Sequence, residues 1–268
     1  MKRPEVTLEN YQAVFDYYDQ RGPNTNFAHF GHFVMGRKFH PAVSFAPGAE
    51  QTIGETLAEG AQVILVTNHD SEADQFNLAS FVSKRSVFGR LVSKTVIMAR
   101  YGLFNEPGRK GKLQRIAIDE LGSFPAFRAK DGSGDANSPE RQLQKKASAS
   151  TRQLGFNKTA RDRYHLAGFP EGQRTPAGED HTVVRTLSPG FGEIYANLAD
   201  RKIMVVSAGI AYGIDERDYT NPTVYIGDPI TTRIPDATEF TGQLRTNMQR
   251  DLTMAYDLRT QRPVASQG

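Results

Sequence analysis

The feature that constrains this chain most is the run Gln62–Thr67, Gln-Val-Ile-Leu-Val-Thr, followed without a break by the polar Asn68-His-Asp-Ser-Glu. A short run rich in β-branched residues and ending in polar ones reads as a buried strand. From Asp74, a residue type that caps helices, Phe76, Ala79 and Val82 return at helical spacing. The result is a strand, loop and helix unit, and in such units chemistry often sits just after the strand. Strand-like segments recur near Thr95–Ala99, His165–Phe169, Ile203–Val206 and Thr223–Ile226, and helix patterns occupy about 139–155, 190–199 and 240–258. The interleaving predicts an α/β fold with a mixed, mostly parallel central sheet flanked by helices.

Ahead of that unit, Leu8, Tyr11, Phe15 and Tyr18 stand at helical spacing behind Thr7, and Gly22-Pro23 ends the run. Phe27 to His40 mixes four phenylalanines with His29, His32 and His40. An interfacial helix would carry such a stretch, but core packing is the reading preferred. The expected organisation is an N-terminal helical segment over 1–60 packed on a main domain over 61–260, with a disordered tail at 261–268. Asp131–Asn137 is read as a loop or lid, and Ser138-Pro139 as a helix cap followed by proline at the first helical position.

The absence of cysteine removes disulfides, thiolate metal sites and cysteine nucleophiles from consideration. No apolar run approaches the ~20 residues that span a bilayer. The first residues lack the apolar core of a secretory signal, so a cytoplasmic protein is expected, peripheral at most on the inner face of a membrane. Residues 84–115 hold nine basic groups (Lys84, Arg85, Arg90, Lys94, Arg100, Arg109, Lys110, Lys112, Arg115) against Glu106 alone, in a chain whose net charge is only +3. Such a run attracts phosphates, an anionic membrane surface, acidic carrier proteins or nucleic acid without choosing among them. No recognisable nucleic-acid module accompanies it, so nucleic acid is not an expected partner.

The residues that suggest chemistry are His69 and Asp74. On a regular helix, five positions put two side chains about 140° apart. A turn at the end of a strand can instead fold the carboxylate back onto the ring, fixing the imidazole tautomer and stabilising its cation. Alone, Asn-His-x-x-x-x-Asp is a weak signal. Downstream, however, stand Gly122-Ser-Phe-Pro-Ala-Phe-Arg128 and Phe169-Pro-Glu-Gly-Gln-Arg-Thr175.

In that order the three segments resemble the first three sequence blocks of the lysophosphatidic acid and glycerol-3-phosphate acyltransferase superfamily, over roughly Gln62 to Tyr212. The third block departs from Phe-Pro-Glu-Gly-Thr-Arg-Ser only at Gln173 and Thr175. The resemblance implies the glycerolipid acyltransferase fold, with His69 as general base and Asp74 as its partner. It also implies substrate-binding roles for Asn68, Arg128, Glu171, Gly172 and Arg174, the two arginines holding the acceptor's phosphate. Arginine suits phosphate independently, through its planar, bidentate fork. The family's fourth block carries a proline where Val205-Val-Ser-Ala-Gly-Ile210 has Ser207. The ending Glu72-Ala73-Asp74 is similar to the soluble plastid-type glycerol-3-phosphate acyltransferases, whose third block differs, so the acceptor stays open between glycerol 3-phosphate and its 1-acyl derivative.

The implied reaction moves a fatty acyl group from acyl-CoA or acyl carrier protein to that acceptor's hydroxyl, with neither cofactor nor metal. Alternatives are an acyl-thioester hydrolase and a non-catalytic basic lipid- or carrier-binding protein. A serine hydrolase is disfavoured because Gly132-Ser-Gly134 lies in a flexible stretch, not between a strand and a helix. A metal site on His69, Asp70, Glu72 and Asp74 would crowd four ligands into six residues. His165 is read as core packing, and His181 as solvated loop.

Overall fold

The computed structural model describes residues 2–128, 135, 137–198, 200–213 and 219–261. Among them, seven strands form one sheet in the order β1-β7-β6-β2-β5-β3-β4. The strands are β1 (Ala42–Phe45), β2 (Gln62–Thr67), β3 (Thr95–Arg100), β4 (Ser123–Ala126), β5 (His165–Gly168), β6 (Ile203–Ala211) and β7 (Thr223–Ile226). β4, β3, β5, β2 and β6 run parallel, while β7 pairs antiparallel to β6 and carries β1 alongside it in the reversed direction. The sheet is thus mixed and mostly parallel, as the interleaved pattern predicts.

Eight α-helices flank the sheet among the described residues: α1 (Tyr11–Asp19), α2 (Thr25–Lys38), α3 (Ala49–Ala58), α4 (Asp74–Lys84), α5 (Gly108–Glu120), α6 (Pro139–Ala160), α7 (Gly190–Asn197) and α8 (Ala237–Thr260). Because β2 is buried along its whole length, its alternate residues feed two different cores. Ile64 and Val66 join a cluster with α1, α6, α7 and α8. Val63 and Leu65 join Leu78, Phe81 and Val82 of α4 and Ile53 and Leu57 of α3. Helix α8 lies so close to β6 that a Cβ on Gly209 would stand 2.4 Å from the Asp251 carbonyl oxygen, so only glycine fits there.

Ser138 caps α6 by accepting from the Arg141 N–H at 3.2 Å, with proline at the first helical position, as the sequence indicates. His165 is a core residue with a specific task. Its Nδ1 accepts the Val63 N–H at 2.9 Å, and burial with nearby Lys94 pulls its pKa down to about 4, so the ring stays neutral.

Several expectations need correction. Residues 1–60 carry α1, α2 and α3 and also β1, an edge strand of the sheet that the sequence reading did not include. Strand β1 is only half-buried, which leaves no strong apolar run to read. Helix α5 went unread for a similar reason, since Arg-Lys-Gly-Lys-Leu-Gln-Arg lacks an apolar stripe aimed at a core. Helix α2 buries only Ala28, so most of the Phe27–His40 stretch does not pack in the core. The 262–268 tail, most of the 131–137 loop and Gly132-Ser-Gly134 lie outside the described residues. Among the described residues, no helix is long and apolar enough to cross a membrane.

Candidate active site

All the motif segments converge at the carboxyl ends of parallel strands, where open α/β sheets place their ligands. Asn68 to Asp74 follows β2, Phe127-Arg128 follows β4, the 169–175 segment follows β5, and Tyr212 follows β6. The first and third segments are neighbours because β2 and β5 pair directly, with Val66 opposite Gly168.

At the centre, His69 Nδ1 lies 2.9 Å from Asp74 Oδ2. The loop after β2 folds the carboxylate back so that α4 begins at Asp74 itself. The same Oδ2 accepts the backbone N–H groups of Asp70 at 2.7 Å and Ser71 at 2.8 Å. Asp74 Oδ1 accepts from the Tyr212 hydroxyl at 2.5 Å, and Asn77 Nδ2 donates to that hydroxyl at 3.0 Å. Burial and the Asp74 charge push the Tyr212 pKa up, so the phenol keeps its proton and remains a donor. Asp74 is fully buried and accepts from His69, Asp70, Ser71 and Tyr212, so the hydrogen of the His69–Asp74 contact sits on His69 Nδ1.

The third segment holds His69 in place. Glu171 Oε1 accepts the His69 N–H at 3.3 Å, and the Thr175 N–H donates to the His69 carbonyl at 2.8 Å. The Phe169 ring stacks on the imidazole with centroids 4.2 Å apart and planes 16° from parallel. Gly172 sits at φ +69°, a turn that L side chains rarely adopt, and its carbonyl accepts from the Arg128 guanidinium. The second and third segments are therefore tied together at Gly172. Burial raises the Glu171 carboxyl to about 7, opposed by the hydrogen bond from His69 N–H.

The Asn68 amide is buried, donates to the Ile210 carbonyl at 3.0 Å and accepts the Ile210 N–H at 2.7 Å, clasping the end of β2 to β6. Arg174 reaches the rim, paired to Glu72 at 2.8 Å, with Glu72 80% exposed. Ser207, at the position of the family's proline, faces α8 and donates to Asp251 at 2.5 Å, binding that helix to the sheet.

Two further residues come to the site that sequence reading left aside. His181 Nδ1 stands 3.6 Å from Asp70 Oδ1, so the residue read as solvated loop belongs to the rim. Burial and the charge of Asp74 raise Asp70 to about 6, against the opposing effects of Thr175 and His181. The four residues of the hypothetical metal set do not converge: Asp74 faces His69, Glu72 faces Arg174, and among the described residues no group of three His, Asp or Glu is arranged to hold a metal.

A family model described as Acyltransferase matches residues 50–211, more than half of the chain. The chain belongs to the acyltransferase family. A comparison with curated proteins gives no match. Acyl transfer in lipid metabolism is the activity this family membership supports. In this acyltransferase the matched region ends one residue before Tyr212, the hydroxyl donor to Asp74. Tyr212 lies 138 residues from Asp74 in sequence, and no motif spacing links them. The approach of β6 to β2 brings them together.

Proposed function

We infer that this acyltransferase moves a fatty acyl group from the thioester of CoA or acyl carrier protein to the hydroxyl of glycerol 3-phosphate or 1-acyl-glycerol 3-phosphate. The observation that carries the reading is the His69–Asp74 pair, with the carboxylate buried, four donors on its two oxygens, and the imidazole stacked on Phe169. A histidine so held is a general base with a fixed tautomer.

His69 Nε2 takes the hydroxyl proton as the acceptor oxygen attacks the thioester carbonyl. The tetrahedral intermediate then breaks its carbon–sulfur bond, and the imidazolium returns the proton to the departing thiolate. Asp74 stabilises the imidazolium meanwhile, and Tyr212 steadies Asp74. General-base assistance contributes about 10²–10⁴-fold, with positioning and oxyanion stabilisation supplying the remainder. Arg128 and Arg174 are the acceptor's phosphate ligands in this reading. Arg174 exchanges Glu72 for the phosphate at small cost, because an exposed ion pair is worth only about 0–1 kcal/mol.

The test is thiol release from palmitoyl-CoA with glycerol 3-phosphate, with 1-acyl-glycerol 3-phosphate and without acceptor, repeated with the acyl carrier protein thioester. Release that depends on one acceptor and is lost in His69→Ala supports the reading and identifies the acceptor. Release indifferent to acceptor identifies a thioester hydrolase instead, and no release from either donor overturns the reading.

A further inference from the structure

Helix α2 turns its large apolar side chains away from the protein. Its inner face carries Ala28, which is buried, His32, whose Nδ1 lies 2.9 Å from the Ala79 carbonyl of α4, Gly31 and Gly36, which approach Leu121 and Ser83, and the half-buried Phe27 and Met35. On the opposite side Phe30, Phe33 and Val34, at spacings of three and four, are 64%, 57% and 37% exposed. The Arg37 guanidinium stands over the Phe33 ring, 4.9 Å from its centroid.

Helix α5 repeats the pattern. It adjoins the start of α2, where Asn24 N–H donates to the Glu120 carbonyl, and it leaves Leu113 and Ile116 exposed beside the exposed Arg109 and Lys112. A lone exposed leucine needs no explanation, but aromatic and aliphatic stripes on adjoining helices mark a contact surface.

Charge identifies the occupant. No aspartate or glutamate occurs between Asp19 and Glu50, nor between Asp74 and Glu106, so α2, all of α4 after its first residue and the chain up to β3 carry cations only. Exposed phenylalanines flanked by Arg37 and Lys38 match an interfacial helix lying on an anionic bilayer. We propose that α2, supported by the α5 stripe, docks this protein on anionic membranes, with Phe30 and Phe33 entering the acyl boundary and Arg37 and Lys38 meeting the headgroups.

The docking surface lies in α2, outside the basic run 84–115, and it supplies apolar insertion that charge alone cannot. It deepens the proposed function by placing a lipid surface near the site. Helix α2 lies on α4, whose first residue is Asp74, and the 11 residues of α4 span only about 16 Å.

The experiment is flotation of the full chain with vesicles of phosphatidylcholine alone and of phosphatidylcholine mixed with phosphatidylglycerol, without substrate. Wild type and His69→Ala should float equally with the mixed vesicles and poorly with the neutral ones, which separates docking from chemistry. Phe30→Ser combined with Phe33→Ser should lower the partition constant roughly tenfold for each ring. Arg37→Gln with Lys38→Gln should lower it about fivefold per charge at low salt and less at high salt. Both positions are exposed, and an unchanged thermal midpoint checks that the variants fold. Equal flotation of the double phenylalanine variant overturns the proposal. So does wild-type protein that ignores vesicles but self-associates, or binds an acidic carrier protein, through Phe30 and Phe33.

Discussion

Asp74 and Glu72 are carboxylates two residues apart in opposite situations. Asp74 is completely buried and held by four donors, whereas Glu72 is 80% exposed and pairs with Arg174. The contrast extends to the segments around them. The His69–Asp74–Tyr212 side is over-determined, with each polar group tied at several points. At the rim, Glu72–Arg174 is an exposed pair that water or a ligand can exchange. Buried polar networks are costly to break, and exposed pairs are nearly neutral. The His69–Asp74–Tyr212 side therefore keeps one geometry, while the Glu72–Arg174 pair can rearrange beside it.

The contrast predicts a graded set of effects. His69→Ala and Asp74→Asn should each lower kcat by about 10²–10⁴-fold, since one removes the base and the other fixes the wrong tautomer. Single-turnover rates with unchanged thermal melts would check this. If Asp74→Asn retained most of its activity, the over-determined side would be structural and the contrast would fail.

Next in size is Tyr212→Phe. It leaves a buried Asp74 oxygen without its donor, which should cost about 1–3 kcal/mol of stability and roughly tenfold in kcat. Denaturant melts and steady-state rates measure the two together. A change in KM alone would place Tyr212 on the substrate instead.

Glu171 tests the boundary between the two regions through pH. Its carboxyl rises from 4.5 to about 7 by burial, so folding favours the protonated form. The associated penalty is absent below pH 4.5, grows as pH rises towards about 7, and is fully present above. Glu171→Gln keeps an acceptor for His69 N–H but cannot ionise. It should therefore gain about 1–3 kcal/mol over wild type at alkaline pH and little at acid pH. Melting curves across that range check it, and a variant with the wild-type pH slope would show that Glu171 is not the group responsible.

The smallest stability effect belongs to the rim. Arg174→Ala should change stability by under about 0.5 kcal/mol, yet raise KM for the phosphorylated acceptor while leaving KM for the thioester unchanged. A matching loss with both substrates would remove Arg174 from acceptor recognition.

Sequence reading reached the strands it could see by apolar content. β2 and β6 are buried on both faces, and their runs of Val, Ile and Leu carry that signal directly. Edge strand β1 and the surface helix α5 carry no such signal, because a half-buried or solvated element is not compelled to be apolar. Within the site, His69 and Asp74 were legible because both lie in one loop, where five positions of spacing encode a contact. The clasp of Asn68 on Ile210 was not legible for the complementary reason: a motif shows that a residue is present but not which way its amide points.

On its own, the sequence determined the sheet's parallel core, the pairing of His69 with Asp74, and the acyltransferase family, because these are written in local patterns. Only the tertiary structure decided that Tyr212 completes the Asp74 network, that His181 reaches Asp70, that Asn68 clasps two strands, and that α2 turns its phenylalanines outward. Each of these depends on which strands and helices lie side by side. A contact between residues more than a hundred positions apart, or a helix face turned towards or away from a core, follows from packing the whole chain.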